Sequence, residues 1–208
     1  MKRLGQQVCL WLFIISAVVW GTILLTYALY PVFMHLEDLP AVAGLSGGRL
    51  YHNYVHLLTY LQVPGVAFSL PDFRWSASGA QHFADVKKLF VLAIVVFWVT
   101  VWPAWHWLRQ LRQTHQRYLL IRPFQIGALV PLVLGALMAV NFDAVFIGFH
   151  KLMFRNNDWL FDPSVDPVIN VLPENFFAAC FALALLLFEA MMVWGLVSGR
   201  RDAKLQGQ

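Results

Sequence analysis

Hydrophobic positions fall into long blocks separated by polar stretches of unequal length. The blocks run from Cys9 to Tyr30, Phe90 to Leu108, Phe124 to Phe149 and Phe176 to Val197. A hydrocarbon core of ~30 Å crossed at ~1.5 Å per residue needs about 20 residues. Each block is of that order, so the pattern predicts transmembrane helices at 9–30, 90–108, 124–149 and 176–197. Between them lie a first polar loop at 31–89, a connector at 109–123 and a second polar loop at 150–175.

The first loop, at about 60 residues, is too long for a plain connection. Within it, Leu50, Tyr54, Leu57, Leu58 and Leu61 recur at helical spacing, with His52, Asn53 and His56 around the stripe. This segment is expected to be an amphipathic helix lying along or dipping into the membrane interface, or a lid packed on the bundle. Pro64, Gly65, Pro71 and Gly79 punctuate an irregular stretch after it. The architecture expected is an all-α membrane protein forming a single domain over residues 1–208. It is a four-helix bundle with an extracytoplasmic cap made by the long first loop and the shorter second one.

Composition agrees with this reading. The chain of 208 residues is 60% hydrophobic and 12% charged, with a mean hydropathy of +0.63, outside the soluble globular range. Most basic residues sit in three places: Lys2 and Arg3; Arg109, Arg112, Arg117 and Arg122; and Arg200, Arg201 and Lys204, opposed there by Asp202 alone. Lys and Arg concentrate in short cytoplasmic segments. Both termini and the connector are therefore expected in the cytoplasm, and both polar loops outside. The net charge of +4 follows from this asymmetry and does not indicate a nucleic-acid partner. Lys2-Arg3 before an apolar run imitates a signal peptide, but the run is about twice a normal signal core, so an uncleaved anchor is expected. Cys9 and Cys180 belong to opposite ends of the predicted bundle and cannot pair.

The candidate chemistry lies outside. His82 precedes the second span and His150 ends the third, so topology puts them at one depth despite their separation in sequence. Asn53, Asp85, Arg155, Asn156 and Asp158 are expected nearby. Two imidazoles that titrate near neutrality make an acid–base pair. Gly44-Leu45-Ser46-Gly47-Gly48 fits G-x-S-x-G, but a nucleophile elbow needs a strand-to-helix turn on a sheet. His52 and His56 have zincin spacing without the catalytic Glu, since Asn53 takes its place. His82, Asp85 and His150 would make a weak zinc set. Asp143 lies two turns before His150, on the same face of a continuous helix, and is a candidate to orient it. Glu189 sits deep in the fourth span and is expected to be satisfied within the bundle.

Two segments carry a resemblance. "HFADVKKLF" (His82 to Phe90) and "FHKLMFRNNDWLFDPSVDPVINVLPENFF" (Phe149 to Phe177), with Asn53-Tyr54-x-x-Leu57-x-x-Tyr60-Leu61, resemble a family of small four-span bacterial membrane proteins whose characterised members are lipoprotein intramolecular transacylases. The resemblance implies that an acyl chain moves from the sn-2 oxygen of a diacylglyceryl-cysteine lipoprotein to the cysteine α-amino group, giving an N-acylated lyso-lipoprotein in the bacterial cytoplasmic membrane. It also implies that His150 and His82 are catalytic; the chemistry suits His150 as base and His82 as its partner, or the two roles exchanged. Asp85 or Asp143 would set a tautomer, and Asn53, Arg155 and Asn156 are candidate donors to the oxyanion. Tyr54, Trp75 and Trp159 suit the headgroup level and substrate binding. The partners implied are a diacylated lipoprotein and membrane lipid, with neither cofactor nor metal. Rival readings are a non-catalytic membrane protein that binds a lipid or partner, and a zinc-dependent membrane hydrolase.

Overall fold

The computed structural model describes residues 2–206. Met1, Gly207 and Gln208, part of the single 1–208 domain expected from the sequence, lie outside the described residues. Among the described residues there is no strand. Seven α-helices follow one another: α1 (Lys2–Leu36), α2 (Leu39–Ala43), α3 (Gly47–Gln62), α4 (Ala77–Gln113), α5 (Ile121–Val140), α6 (Phe142–Met153) and α7 (Glu174–Gln206). Short 3₁₀ turns occupy Arg117–Leu120 and Pro167–Val171. Among the described residues, four helical segments are long and apolar enough to cross a membrane: Arg3–Leu36, Ala77–Gln113, Arg117–Val140 and Glu174–Gln206.

The third apolar block departs from its expected form. A continuous helix over 124–149 is predicted, but the structure breaks it at Asn141, whose backbone is extended (φ −159°, ψ 94°). Its N–H still closes the last turn of α5 on the Leu137 carbonyl at 3.0 Å. Asn is a weak helix former because its amide competes for backbone partners. The 20 residues of α5 alone match a bilayer crossing. The remaining residues form the separate helix α6, which carries His150 in its last turn.

The chain divides into two compact units. One comprises Met1–Thr22, Ala93–Asn141 and Phe181–Gln208; the other comprises Ile23–Leu92 and Phe142–Cys180. In the first, Leu10, Ile14, Trp107, Leu111, Phe124 and Met192 form the core. Helix α7 lies so close to Phe124 that a methyl on Gly195 would fall on its ring. Asp202, fully buried, accepts from Arg117 Nε at 2.9 Å and Nη2 at 2.7 Å, joining the connector to the end of α7. Glu189 Oε2 is buried without a hydrogen-bond partner among the described residues. Trp98, Trp102, Leu129 and Val140 point outward and are largely exposed, as lipid-facing residues are in a spanning segment.

In the second unit the stripe of α3 is spent on protein contacts. Leu50, Tyr54, Leu57, Leu58 and Leu61 are buried together with Tyr30, Leu70, Phe73, Val171 and Phe176. Tyr54 stacks on Tyr30 with ring centroids 3.8 Å apart, and Tyr30 Oη donates to the Val171 carbonyl at 2.9 Å. Ser46, the nominal elbow serine, is the N-cap of α3, its Oγ accepting from Arg49 N. The irregular stretch after α3 is held from two sides. Lys87 Nζ donates to the Val66 carbonyl at 2.9 Å and lies 4.1 Å from the centre of the Tyr60 ring, while Asp72 pairs with Arg49 and Asn53.

Candidate active site

The site lies within the second unit and is built from the start of α4, the end of α6 and the second polar loop. Helix α4 begins with Ser76 as its cap, Gly79 N donating to Ser76 Oγ at 2.9 Å. Ser76 in turn gives its N–H and its hydroxyl to the two oxygens of Asp166, each at 2.7 Å. Asp166 is only 3% exposed. The second loop is thereby latched to the first turn of the helix that carries His82. The loop leaves α6 with Phe154 N donating to the His150 carbonyl at 2.8 Å.

This arrangement brings the two histidines together. Their ring centroids are 5.9 Å apart, inclined at 35°, and the residues are 6% and 9% exposed. The pairing expected from topology is therefore present. His150 Nδ1 lies 2.8 Å from the Phe146 carbonyl. A carbonyl only accepts, so Nδ1 carries the proton and Nε2 keeps the lone pair that a base needs. Burial holds the His150 pKa below the ordinary imidazole value, partly offset by that bond to Phe146. His82 Nδ1 is buried with no hydrogen-bond partner among the described residues.

The walls are aromatic. Phe154 and Phe161 stand edge-on to His82 at 4.9 and 5.5 Å. Around His150 are Phe146 at 4.1 Å, Trp159 at 5.0 Å, Phe149 at 5.5 Å and Phe154 at 5.6 Å. Phe146, His150 and Phe154 recur every four residues, a helical signal of one shared face that sequence reasoning passed over. Asp166 was missed as well; its only trace is a second acid shortly after Asp162-Pro163 in the loop block.

The other candidates are distributed unevenly. Asp85, one turn after His82, accepts from Lys88 Nζ and Gln81 Nε2 on one oxygen and from Asn156 Nδ2 at 3.0 Å on the other. The Asn156 carbonyl accepts from Trp159 Nε1 at 3.1 Å. These residues form one chain of contacts ending on His150, against which the Trp159 ring packs. Asn53 is 2% exposed, and both its amide protons are taken, by the Arg49 carbonyl at 2.9 Å and Asp72 Oδ2 at 2.7 Å. It latches the loop to α3 and has no donor left for an oxyanion. Tyr54 belongs to the core, where burial pushes its phenol pKa well above the ordinary range. Trp75 is 42% exposed and meets Phe68 edge-on. Arg155 is exposed. Asp143 is exposed in the first turn of α6, where an acid suits the helix dipole. Seven residues along one helix put it about 10 Å from His150, and the nitrogen it was expected to orient bonds Phe146 instead. Among the described residues, no group of three or more His, Cys, Asp or Glu side chains converges as a metal site would require.

Among solved structures, the membrane integral lipoprotein intramolecular transacylase Lit from Bacillus cereus superposes with a TM-score of 0.86 at 29% identity, over 99% of this chain and 97% of that one. Two single-histidine variants of the same Bacillus cereus protein also match at 29% identity and 99% of this chain. The arginine variant has a TM-score of 0.77 over 93% of that chain, and the alanine variant 0.78 over 95%. A search of curated protein sequences finds no match. The family model described as lipoprotein intramolecular transacylase Lit matches residues 4–177. With that match spanning both polar loops and the two facing histidines, the chain belongs to the lipoprotein intramolecular transacylase family, Lit.

Proposed function

We propose that this enzyme moves the sn-2 acyl chain of a diacylglyceryl-cysteine lipoprotein to the α-amino group of the same cysteine, with His150 as base and His82 as its partner. The observation that carries the reading is the buried pair of imidazoles at 5.9 Å, one of them fixed as the Nδ1–H tautomer. Amine and ester belong to one molecule, and attack closes a ring of roughly eight atoms, so the protein's task is to hold one conformer. The neutral amine attacks the ester carbonyl and a C–N bond forms as His150 Nε2 takes the amine proton. The C–O bond to glycerol then breaks, and the proton passes to the departing oxygen, leaving a free sn-2 hydroxyl. His82 donates to the oxyanion or to the leaving oxygen. Arg155 remains a candidate donor from the second loop.

The aromatic walls keep water from an ester that would otherwise hydrolyse. The basic residues favour both termini in the cytoplasm and the histidines at the outer face of the bacterial cytoplasmic membrane. There the substrate's acyl chains are in lipid while its cysteine emerges, and the two polar loops act as a cap. The test is expression with a diacylated lipoprotein in a host that lacks N-acylation, with mass spectrometry of the N-terminal lipopeptide. Wild-type protein is expected to give the N-acylated lyso-form, and His150→Ala or His82→Ala to abolish it. An acyl shift that survives both substitutions together ends the assignment.

A further inference from the structure

A base that takes a proton becomes a cation, and in a buried site that charge is costly unless something compensates it. The common solution is a carboxylate on the far ring nitrogen. Here that nitrogen is bonded to the Phe146 carbonyl. The carboxylates are elsewhere: Asp143 is exposed at the other end of α6, and Asp85 is engaged by Lys88, Gln81 and Asn156. What surrounds His150 is aromatic rings, Phe146 nearest at 4.1 Å, and among them Trp159 is distinctive. Its ring centre is 5.0 Å from that of the imidazole, with the planes inclined at 34°, within the ~6 Å over which an aromatic ring attracts a cation. It is also held by hydrogen bonds: Nε1–H to the Asn156 carbonyl at 3.1 Å, with Asn156 Nδ2 on Asp85 at 3.0 Å.

We propose that Trp159, clamped through Asn156 to Asp85 on α4, is a positioning residue for His150 whose indole face stands in for the missing carboxylate beside the imidazolium formed during acyl transfer. The proposal rests on His150 being the base. The titratable and charged groups around His150 are His82 from α4, with Asp85 and Lys88 about one and two turns beyond it, and Arg155 and Asp158 flanking Asn156 in the second loop. On α6 itself they are the exposed Asp143 and Lys151. Helix α7 contributes Phe177, packed on Phe146.

The test is the titration of His150, read by ¹⁵N NMR of the histidine-labelled full chain in detergent micelles. The signal is assigned by its absence in His150→Ala, and the pH profile of acyl transfer is recorded alongside. An attractive ring raises the pKa, so Trp159→Leu is expected to lower the His150 titration by about one pH unit. It should move down with it the steeper, lower-pH limb of the rate profile, below the limb set by the substrate amine, and reduce the plateau about tenfold. Trp159→Phe, which keeps a π face, is expected to recover most of the shift, as a loss of packing alone would not. Should Trp159→Leu fail to fold, incorporation of fluorinated tryptophans, which weakens the ring's attraction without changing its shape, is expected to lower the titration stepwise. A His150 titration that stays in place or rises on leucine substitution or fluorination overturns the proposal. Because the NMR readout needs no turnover, a wild-type protein without acyl transfer would refute the assignment of His150 as base separately.

Discussion

Gly79→Ala sets two physical effects against each other. Gly79 lies in the first turn of α4, where propensity alone predicts that alanine stabilises the helix by up to ~1 kcal/mol. The structure predicts the reverse. A methyl there would lie 2.5 Å from Asp166 Oδ1 and 3.1 Å from the Phe161 ring. Neither neighbour is free to retreat. Both Asp166 oxygens are bonded to Ser76, and Phe161 packs on His82 at 5.5 Å and on Phe83 at 5.4 Å. Overpacking of this kind costs ~1–3 kcal/mol. Any movement of Asp166 also weakens two hydrogen bonds to a charged group, worth ~1.5–3 kcal/mol each. The net expectation is destabilisation by about 1–3 kcal/mol, with slower acyl transfer because Phe161 presses on His82. Chemical unfolding in detergent micelles, followed by tryptophan fluorescence, reads the first effect, and the lipopeptide assay reads the second. In an Asp166→Ala background the carboxylate clash is gone, so the same glycine substitution is expected to cost less, which a double-mutant cycle measures. A Gly79→Ala protein that is more stable than wild type and fully active would refute the packing argument.

The remaining predictions concern protonation, metal and the latch on α3. His150 acts as a base only when neutral, and burial holds its pKa below 6.5. The rate should therefore fall first with protonation of the substrate's own α-amine, ordinarily at a pKa of ~8, and fall more steeply only as the pH drops through the lowered His150 pKa. A His150 titration above 6.5 would contradict the burial seen here. Overnight dialysis against a strong chelator is expected to leave acyl transfer unchanged; loss of activity restored by zinc would favour a metal-dependent hydrolase. Asn53→Ala removes three hydrogen bonds around Asp72 and Arg49 from a side chain that is 2% exposed, and should lower stability by ~2–3 kcal/mol in the same unfolding assay. Arg49→Ala should cost far less, because its guanidinium is exposed and screened.

Much of the molecule was legible in the sequence. A bilayer offers no partners to backbone N–H and C=O groups, so a long apolar block has to become a helix whatever its neighbours do. Four segments able to cross the membrane were therefore readable from hydropathy alone. The stripe Leu50, Tyr54, Leu57, Leu58 and Leu61 was readable for a related reason, since helical periodicity is a local property, and all five are buried. His82 and His150 could be placed at one level because each stands near the end of an apolar block.

Tertiary contacts decided the rest. The break at Asn141 depends on one residue's backbone conformation, which an average over an apolar window does not register. Asn53 and Trp159 look alike in sequence, as polar or amphipathic residues near the membrane surface. One spends its amide on Asp72, and the other lays its ring on His150. The Ser76–Asp166 latch joins residues 90 apart. Periodicity and composition report a residue's own neighbourhood, whereas a hydrogen bond across that separation exists only once the chain has folded.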